Sequence, residues 1–239
     1  MLLSEKLKEL AVKNQTTELN IRREYVQHLF LSYFYRQPHT DGIYFKGGTA
    51  LRLVFSSPRF SEDLDFSASL YNVHEIESSI VSTLKEIERE GIQTDLIESK
   101  ETTGGYLGHI RFTLDKESVS ILLQFSKRSL HDTKEVVMIS SDFIPPYTIT
   151  LLDRTHLIAE KIHALLSRAK PRDFYDLYFL IRSGLMQKKD KDLLVQAQIK
   201  LEETTINFEA ELKRFLPKSY WPIIRHFPHS LAQEIERFI

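Results

Sequence analysis

Two blocks of this sequence hold residue types able to do chemistry on phosphate. The first, KGGTALRLVFSSPRFSEDLDF at residues 46–66, opens on Lys46, Gly47, Gly48 and Thr49. Glycines permit a tight turn and close approach of a phosphate, and a helix starting at Thr49 presents unpaired amides and a hydroxyl there. Fifteen residues beyond Gly48 stands Asp63, with Asp65 two further on. In a strand this spacing puts both carboxylates on one face and turns Leu64 and Phe66 to the other, buried face. Two carboxylates, completed by waters and phosphate oxygens, suit Mg²⁺, with Mn²⁺ as the alternative ion. Such an ion can align an attacking hydroxyl with an α-phosphate and neutralise departing pyrophosphate. Each half alone also reads as a plain turn or a solvated strand edge. Their succession points to a site, because paired acids on a strand packed into a core need a compensating partner.

The second block, EKIHALLSRAKPRDFYDLYFL at residues 160–180, places Lys161 and Arg168 two helical turns apart. Across Pro171, Asp173 and Asp176 share a face of the next helix, whose packing surface is Phe174, Leu177, Tyr178 and Leu180. Lys161 and Arg168 suit triphosphate charge, and Lys170 and Arg172 suit an RNA backbone. The aspartates can orient those cations or position an acceptor. Arg172, Asp173 and Asp176 read equally well as a salt-bridge set between helices, with Asp173 as an N-terminal helix acid.

The elements that must hold these blocks follow from periodicity. Helices are expected over a short segment capped by Ser4, from Glu18 to about Gln37 behind Thr17, over 49–55, and over 72–90. Strands are expected at 43–45, 64–67, 92–98, 108–114, 119–125 and 147–151. From Arg154 onward the pattern is helical, at 154–168, 172–183, 188–199, 206–215 and 230–238. The fold class is therefore α+β, a mixed sheet with packed helices over 1–150 followed by a helical lobe over 151–239. Residues 1–150 carry 17 basic and 21 acidic side chains, net −4, against 15 and 12, net +3, in the remainder. An acidic sheet domain beside a basic helical one is compatible with a cleft holding metal and polyanion.

At 239 residues, 42% apolar and 27% charged with a net charge of −1, the chain is an ordinary folded protein. Near-neutrality argues against a general nucleic-acid coat protein but allows a local basic patch. Having no cysteine, it has no disulfide, thiolate metal site or cysteine nucleophile. A signal-like or membrane-spanning run is absent, so a cytoplasmic protein without a membrane partner is expected. His156 and His163 lack an HExxH arrangement, and no G-x-S-x-G marks a serine hydrolase.

FKGGTAL, RFSEDLDFS, EKIHALLSR and RDFYDLYFL, in this order over roughly residues 20–183, resemble the nucleotidyl transferase AbiEii/AbiGii toxin family of the DNA polymerase β-like nucleotidyltransferase superfamily. The resemblance implies a nucleotidyltransferase sheet, a helical lobe, and a place in a bacterial or archaeal toxin–antitoxin or phage-defence pair. It lays the glycine motif on Gly47, Gly48 and Thr49, the metal-binding acids on Asp63 and Asp65, the helical-lobe lysine on Lys161, and a later acidic motif on Asp173 and Asp176. It further implies a nucleoside triphosphate donor, an RNA acceptor such as a tRNA 3′ end, and a cognate antitoxin. One departure is LLQFS, where many superfamily enzymes place a third carboxylate and this chain has Gln124. The expected catalytic set is Asp63, Asp65, Lys161 and Asp176. Lys46, Gly47, Gly48, Thr49, Arg168 and Asp173 are expected at the nucleotide, Lys170 and Arg172 at RNA, and the two blocks are expected to converge. The alternatives are transfer to a protein hydroxyl and a non-catalytic module that binds nucleotide, RNA or antitoxin.

Overall fold

A computed structural model describes residues 4–69, 72–128, 134–187 and 190–239. Two compact units emerge. The first comprises residues 1–56 and 60–153, and the second residues 57–59 and 154–239.

The first unit is built on a seven-stranded sheet in the order β3-β4-β5-β2-β1-β7-β6. Its strands are β1 (Ile43–Lys46), β2 (Leu64–Ala68), β3 (Gln93–Thr102), β4 (Gly105–Leu114), β5 (Glu117–Lys127), β6 (Lys134–Ile139) and β7 (Tyr147–Leu152). β1 runs parallel to β7 and β2 parallel to β5, the other pairs being antiparallel, so the sheet is mixed. Helices α1 (Ser4–Lys13), α2 (Glu18–Phe34), α3 (Gly47–Phe55) and α4 (Val73–Arg89) complete it. The α+β expectation holds.

Local signals set the α2 and α4 boundaries. Thr17 Oγ1 accepts from the Asn20 amide, and Asn72 Oδ1 from the His74 amide, each relieving an orphan donor in a first turn. α2 is buried on nearly all sides and brings Phe34 onto the sheet at 5.5 Å from Phe66, which stacks on Phe125 at 4.6 Å. Losing either sheet ring to alanine costs about 3–5 kcal/mol. Ser4 is the first described residue of α1, and its hydroxyl donates to Asp115 at 2.6 Å.

Several boundaries differ from expectation. α2 ends at Phe34, and α3 begins at Gly47 rather than Thr49. β6 has no counterpart among the expected strands. As an edge strand it leaves Val136 and Met138 73% and 68% exposed, so its apolar run carries no polar–apolar alternation although burial alternates from Val136 to Ile139.

The second unit contains α5 (Arg154–Arg168), α6 (Pro171–Arg182), α7 (Lys191–Glu202), α8 (Phe208–Leu212), α9 (Trp221–Arg225) and α10 (Phe227–Phe238). Phe208 sits at its centre, 5.4 Å from Phe174 and 5.2 Å from Phe227. α7 was expected from 188, but residues 188–189 lie outside the described ones. α8 is shorter than expected, α9 is additional, and α10 starts three residues early because a first-turn proline fits its N-terminus.

One buried polar contact makes the first unit pH-sensitive. His28 on α2 is buried and bonds through Nδ1 to the Tyr147 hydroxyl at 2.8 Å. Burial first, then the charge of Arg52, lowers its pKa to about 3. The folded state therefore holds His28 neutral between pH 6.5 and 3, where the unfolded chain protonates it. Stability from this group is complete above pH 6.5 and declines as pH falls toward 3, by about 1.4 kcal/mol per pH unit. In denaturant titrations across pH 7 to 4, a His28→Asn variant is expected to start less stable and to lose stability less steeply than wild type.

Candidate functional site

The acidic half of the site belongs to the first unit. Register fixes it: Lys46 on β1 lies opposite Asp65 on β2, which lies beside Gln124 on β5. Partners in register share a face, so Lys46, Asp65 and Gln124 form one row. Phe45, Phe66 and Phe125 form the next row, on the opposite face, and all three are buried. Asp65 thus projects from a strand whose other face is core.

α3 starts directly from the end of β1. Gly47 has φ +84°, and a Cβ built there overlaps Asp65 Oδ2. Only glycine lets the helix start come this close to the carboxylate, and the positive end of the helix dipole favours a negative group at that place. Asp63 precedes β2 by one residue, so strand pairing does not set its direction. The Thr49 hydroxyl does part of that work by donating to the Asp63 carbonyl. Thr49 is buried, and its hydroxyl, expected at a phosphate, instead ties α3 to the acidic loop. Lys46 is also buried and supplies no side-chain bond to the first turn of α3.

Asp63 and Asp65 fit a divalent cation that takes its remaining ligands from phosphate and water. Among the described residues no group of three or more His, Cys, Asp or Glu could hold a metal ion, in keeping with an exposed Gln124 beside Asp65. His156 and His163 are exposed on α5.

The cationic half belongs to the second unit. Asp176 is buried on α6, its side chain 1% exposed. Arg59 Nε donates to its Oδ1 at 2.7 Å, Arg59 Nη2 to Oδ2 at 2.9 Å, and Lys161 Nζ to Oδ2 at 2.8 Å. Burial opposes ionisation of Asp176, but the charges of Arg59 and Lys161 and their hydrogen bonds outweigh it and lower the pKa to about 2. Burial likewise opposes the charge on Arg59, and Asp176 outweighs it, leaving Arg59 above its ordinary value. Both Asp176 oxygens are engaged, and the carboxylate orients Arg59 and Lys161.

Asp173 is also engaged. Arg168 forks onto it with bonds of 2.8 and 2.7 Å, and the Lys170 amide donates to it at 3.2 Å, anchoring the start of α6. Arg168 remains 48% exposed, Lys170 is exposed, and Arg172 is half-buried with its Nε lacking a hydrogen-bond partner. The structure thus brings Lys161 together with Asp176, and Arg168 with Asp173.

Sequence reasoning missed Arg59. It belongs to the segment Ser57–Arg59, which groups with the second unit although flanking residues group with the first. Its partner lies 117 positions away, and no periodicity crosses that segment. The one available signal was its place inside the RFSEDLDFS block.

A family model described as "Nucleotidyl transferase AbiEii toxin, Type IV TA system" matches residues 29–223. No curated protein is similar enough to match. Among solved structures, JHP933 from Helicobacter pylori is 19% identical with a TM-score of 0.67, covering 93% of each chain. A putative nucleotidyltransferase from H. pylori is 18% identical with a TM-score of 0.69, covering 93% of this chain and 95% of its own. MenT4, a nucleotidyltransferase toxin from Mycobacterium tuberculosis H37Rv, is 14% identical with a TM-score of 0.66, covering 100% and 93%. At these identities the likeness is one of fold.

The Gly47–Asp65 contact is testable through stability. Gly47→Ala meets both the positive φ, a cost of about 1–3 kcal/mol, and overlap with Asp65. Chemical denaturation is expected to show destabilisation beyond the backbone cost. A Gly47→Ala/Asp65→Ala double variant should recover the overlap part and leave the backbone part.

Proposed function

Because the chain belongs to the nucleotidyl transferase AbiEii toxin family, we propose that it transfers a nucleoside monophosphate from a nucleoside triphosphate to an RNA 3′ end, that of tRNA. Family membership supports nucleotidyltransferase chemistry and a toxin's role. The observation that carries the reading is the Asp65 carboxylate packed against the glycine start of α3, with the adjacent Asp63 backbone held by Thr49.

In this reading Asp63 and Asp65 hold Mg²⁺, or Mn²⁺ in its place, which supplies charge neutralisation at the phosphates. Gly47 and Gly48 let a phosphate approach the first turn of α3, with Lys46 adding positive charge beside it. Lys161 receives charge building on the triphosphate as the acceptor hydroxyl attacks the α-phosphate in line and pyrophosphate departs. Asp176 aims Lys161, and Asp173 aims Arg168 toward the nucleotide. Lys170 and Arg172 bear on the RNA backbone. A cognate antitoxin restrains the activity in the cytoplasm. No helix among the described residues is long and apolar enough to cross a membrane.

A second reading, a module that binds nucleotide, RNA or antitoxin without transfer, is favoured by Gln124. Its neutral amide, a poor ligand for a divalent cation, stands next to Asp65 in register. Transfer to a protein hydroxyl uses the same residues with a different acceptor.

Incubation with total tRNA and each of four α-labelled triphosphates separates these. Labelled tRNA supports the first reading, labelled protein the acceptor variant, and absence of label with retained nucleotide binding the module. Asp63→Asn and Asp65→Asn are each expected to abolish label while leaving the melting temperature within about 4 °C of wild type or above it, since a like charge is removed from a close pair. Lys170→Ala should raise KM for RNA and lower the salt slope of RNA binding by about one unit.

A further inference from the structure

Arg59 is a buried cation that the reaction above does not use. It is 4% exposed, so a substrate does not reach it, yet it takes both oxygens of the carboxylate that also holds Lys161. We propose that Arg59 is a positioning residue for nucleotide binding. By neutralising Asp176 it leaves the Lys161 ammonium aimed but uncancelled, with a full positive charge for a triphosphate. The inference rests on Lys161 being the triphosphate contact.

Charge balance carries the argument. Arg59, Lys161 and Asp176 are two cations and one anion in the interior of the second unit, and Asp173, whose charge also acts on Arg59, is matched by its own cation, Arg168. A lysine whose carboxylate partner is its own offers a phosphate little net charge, because pairing cancels most of its field. Here the planar guanidinium matches the carboxylate with two parallel bonds, the stronger of the two pairings. Lys161 makes one bond at 2.8 Å, and an ammonium has three donors. Its side chain is 12% exposed, against 4% for Arg59 and 1% for Asp176, so it is the member through which the excess charge reaches solvent. Arg59 also stands four residues before Asp63 in the chain, so one continuous segment supplies this cluster and the first carboxylate.

A merely structural salt bridge and a charge-setting one predict opposite results in one comparison. Arg59→Met removes a cation and transfers the whole Asp176 charge to Lys161. Asp176→Asn added to Arg59→Met removes that charge with little change of shape, and replacing both members of a buried pair is tolerated where breaking it is not. Equilibrium binding of a Mg²⁺–triphosphate to wild type, Arg59→Met, Arg59→Lys and the double variant is the measurement, with circular dichroism confirming the fold and steady-state kinetics alongside.

The expected result is about tenfold weaker nucleotide binding in Arg59→Met, with KM for nucleotide changed more than kcat. Arg59→Lys should recover part of this, and the double variant, which drops the uncompensated carboxylate charge, should bind about threefold or more tighter than Arg59→Met. A double variant as weak as Arg59→Met or weaker overturns the proposal, as does an Arg59→Met protein that binds like wild type. If Arg59→Met does not fold, Arg59→Lys against wild type decides, since the proposal requires that it bind nucleotide more weakly and binding equal to wild type overturns it. Wild type that binds triphosphate but transfers nothing removes the transferase reading and leaves this inference to the binding series. Wild type that binds no triphosphate removes both.

Discussion

The alternation of β2 is the constraint on which the first unit depends. One strand must turn Leu64 and Phe66 into an aromatic core and Asp65 to the opposite face, and period-two geometry allows no other arrangement. Its neighbours obey the same register, so the phenylalanines of β1, β2 and β5 line up beneath the row of Lys46, Asp65 and Gln124. Slippage by one residue would bury the carboxylate and expose the rings together. Stability of the sheet and placement of the acid are therefore one condition. α3 adds the second contact, since its glycine start touches that carboxylate from above.

The second unit solves a different problem, keeping charge inside a helical lobe. A buried carboxylate is tolerated only when paired, and Asp176 and Asp173 each accept from at least one cation through both oxygens. Arginine takes the two-pronged position in both cases, while lysine contributes a single bond. Two cations meet the one carboxylate of Asp176, whereas Arg168 and Asp173 pair one to one.

Local backbone strain marks the junctions that deliver these groups. α3 is followed by Ser56 in the left-handed region, immediately before the segment carrying Arg59. α5 is followed by Ala169, φ +48°, immediately before Lys170, whose amide bonds Asp173. A non-glycine residue in this conformation costs about 1–2 kcal/mol. Each cost is offset where the chain turns sharply enough to place the next residues in buried ion pairs.

Much of this was legible before any fold was known. The spacing of Asp63 and Asp65, the glycines at the start of α3, the cap at Thr17 and the helical pattern after Arg154 are local properties, read within a few residues. The family resemblance rested on the same blocks and agrees with the match over residues 29–223. β6 was not legible, because an edge strand with apolar residues on its solvent side shows no period of two in its residue types. Thr49 was assigned to a phosphate, whereas the structure turns its hydroxyl to a backbone carbonyl, and for Asp176 the sequence left open which cations it would meet, which the structure shows to be Arg59 and Lys161. Arg59 was invisible because its meaning lies in a partner 117 positions away. By itself the sequence determined which residues share a strand or helix face, because covalent geometry and period decide that. Only the tertiary structure decided which charge pairs with which, because such pairs form where burial removes water and the chain brings distant segments into contact.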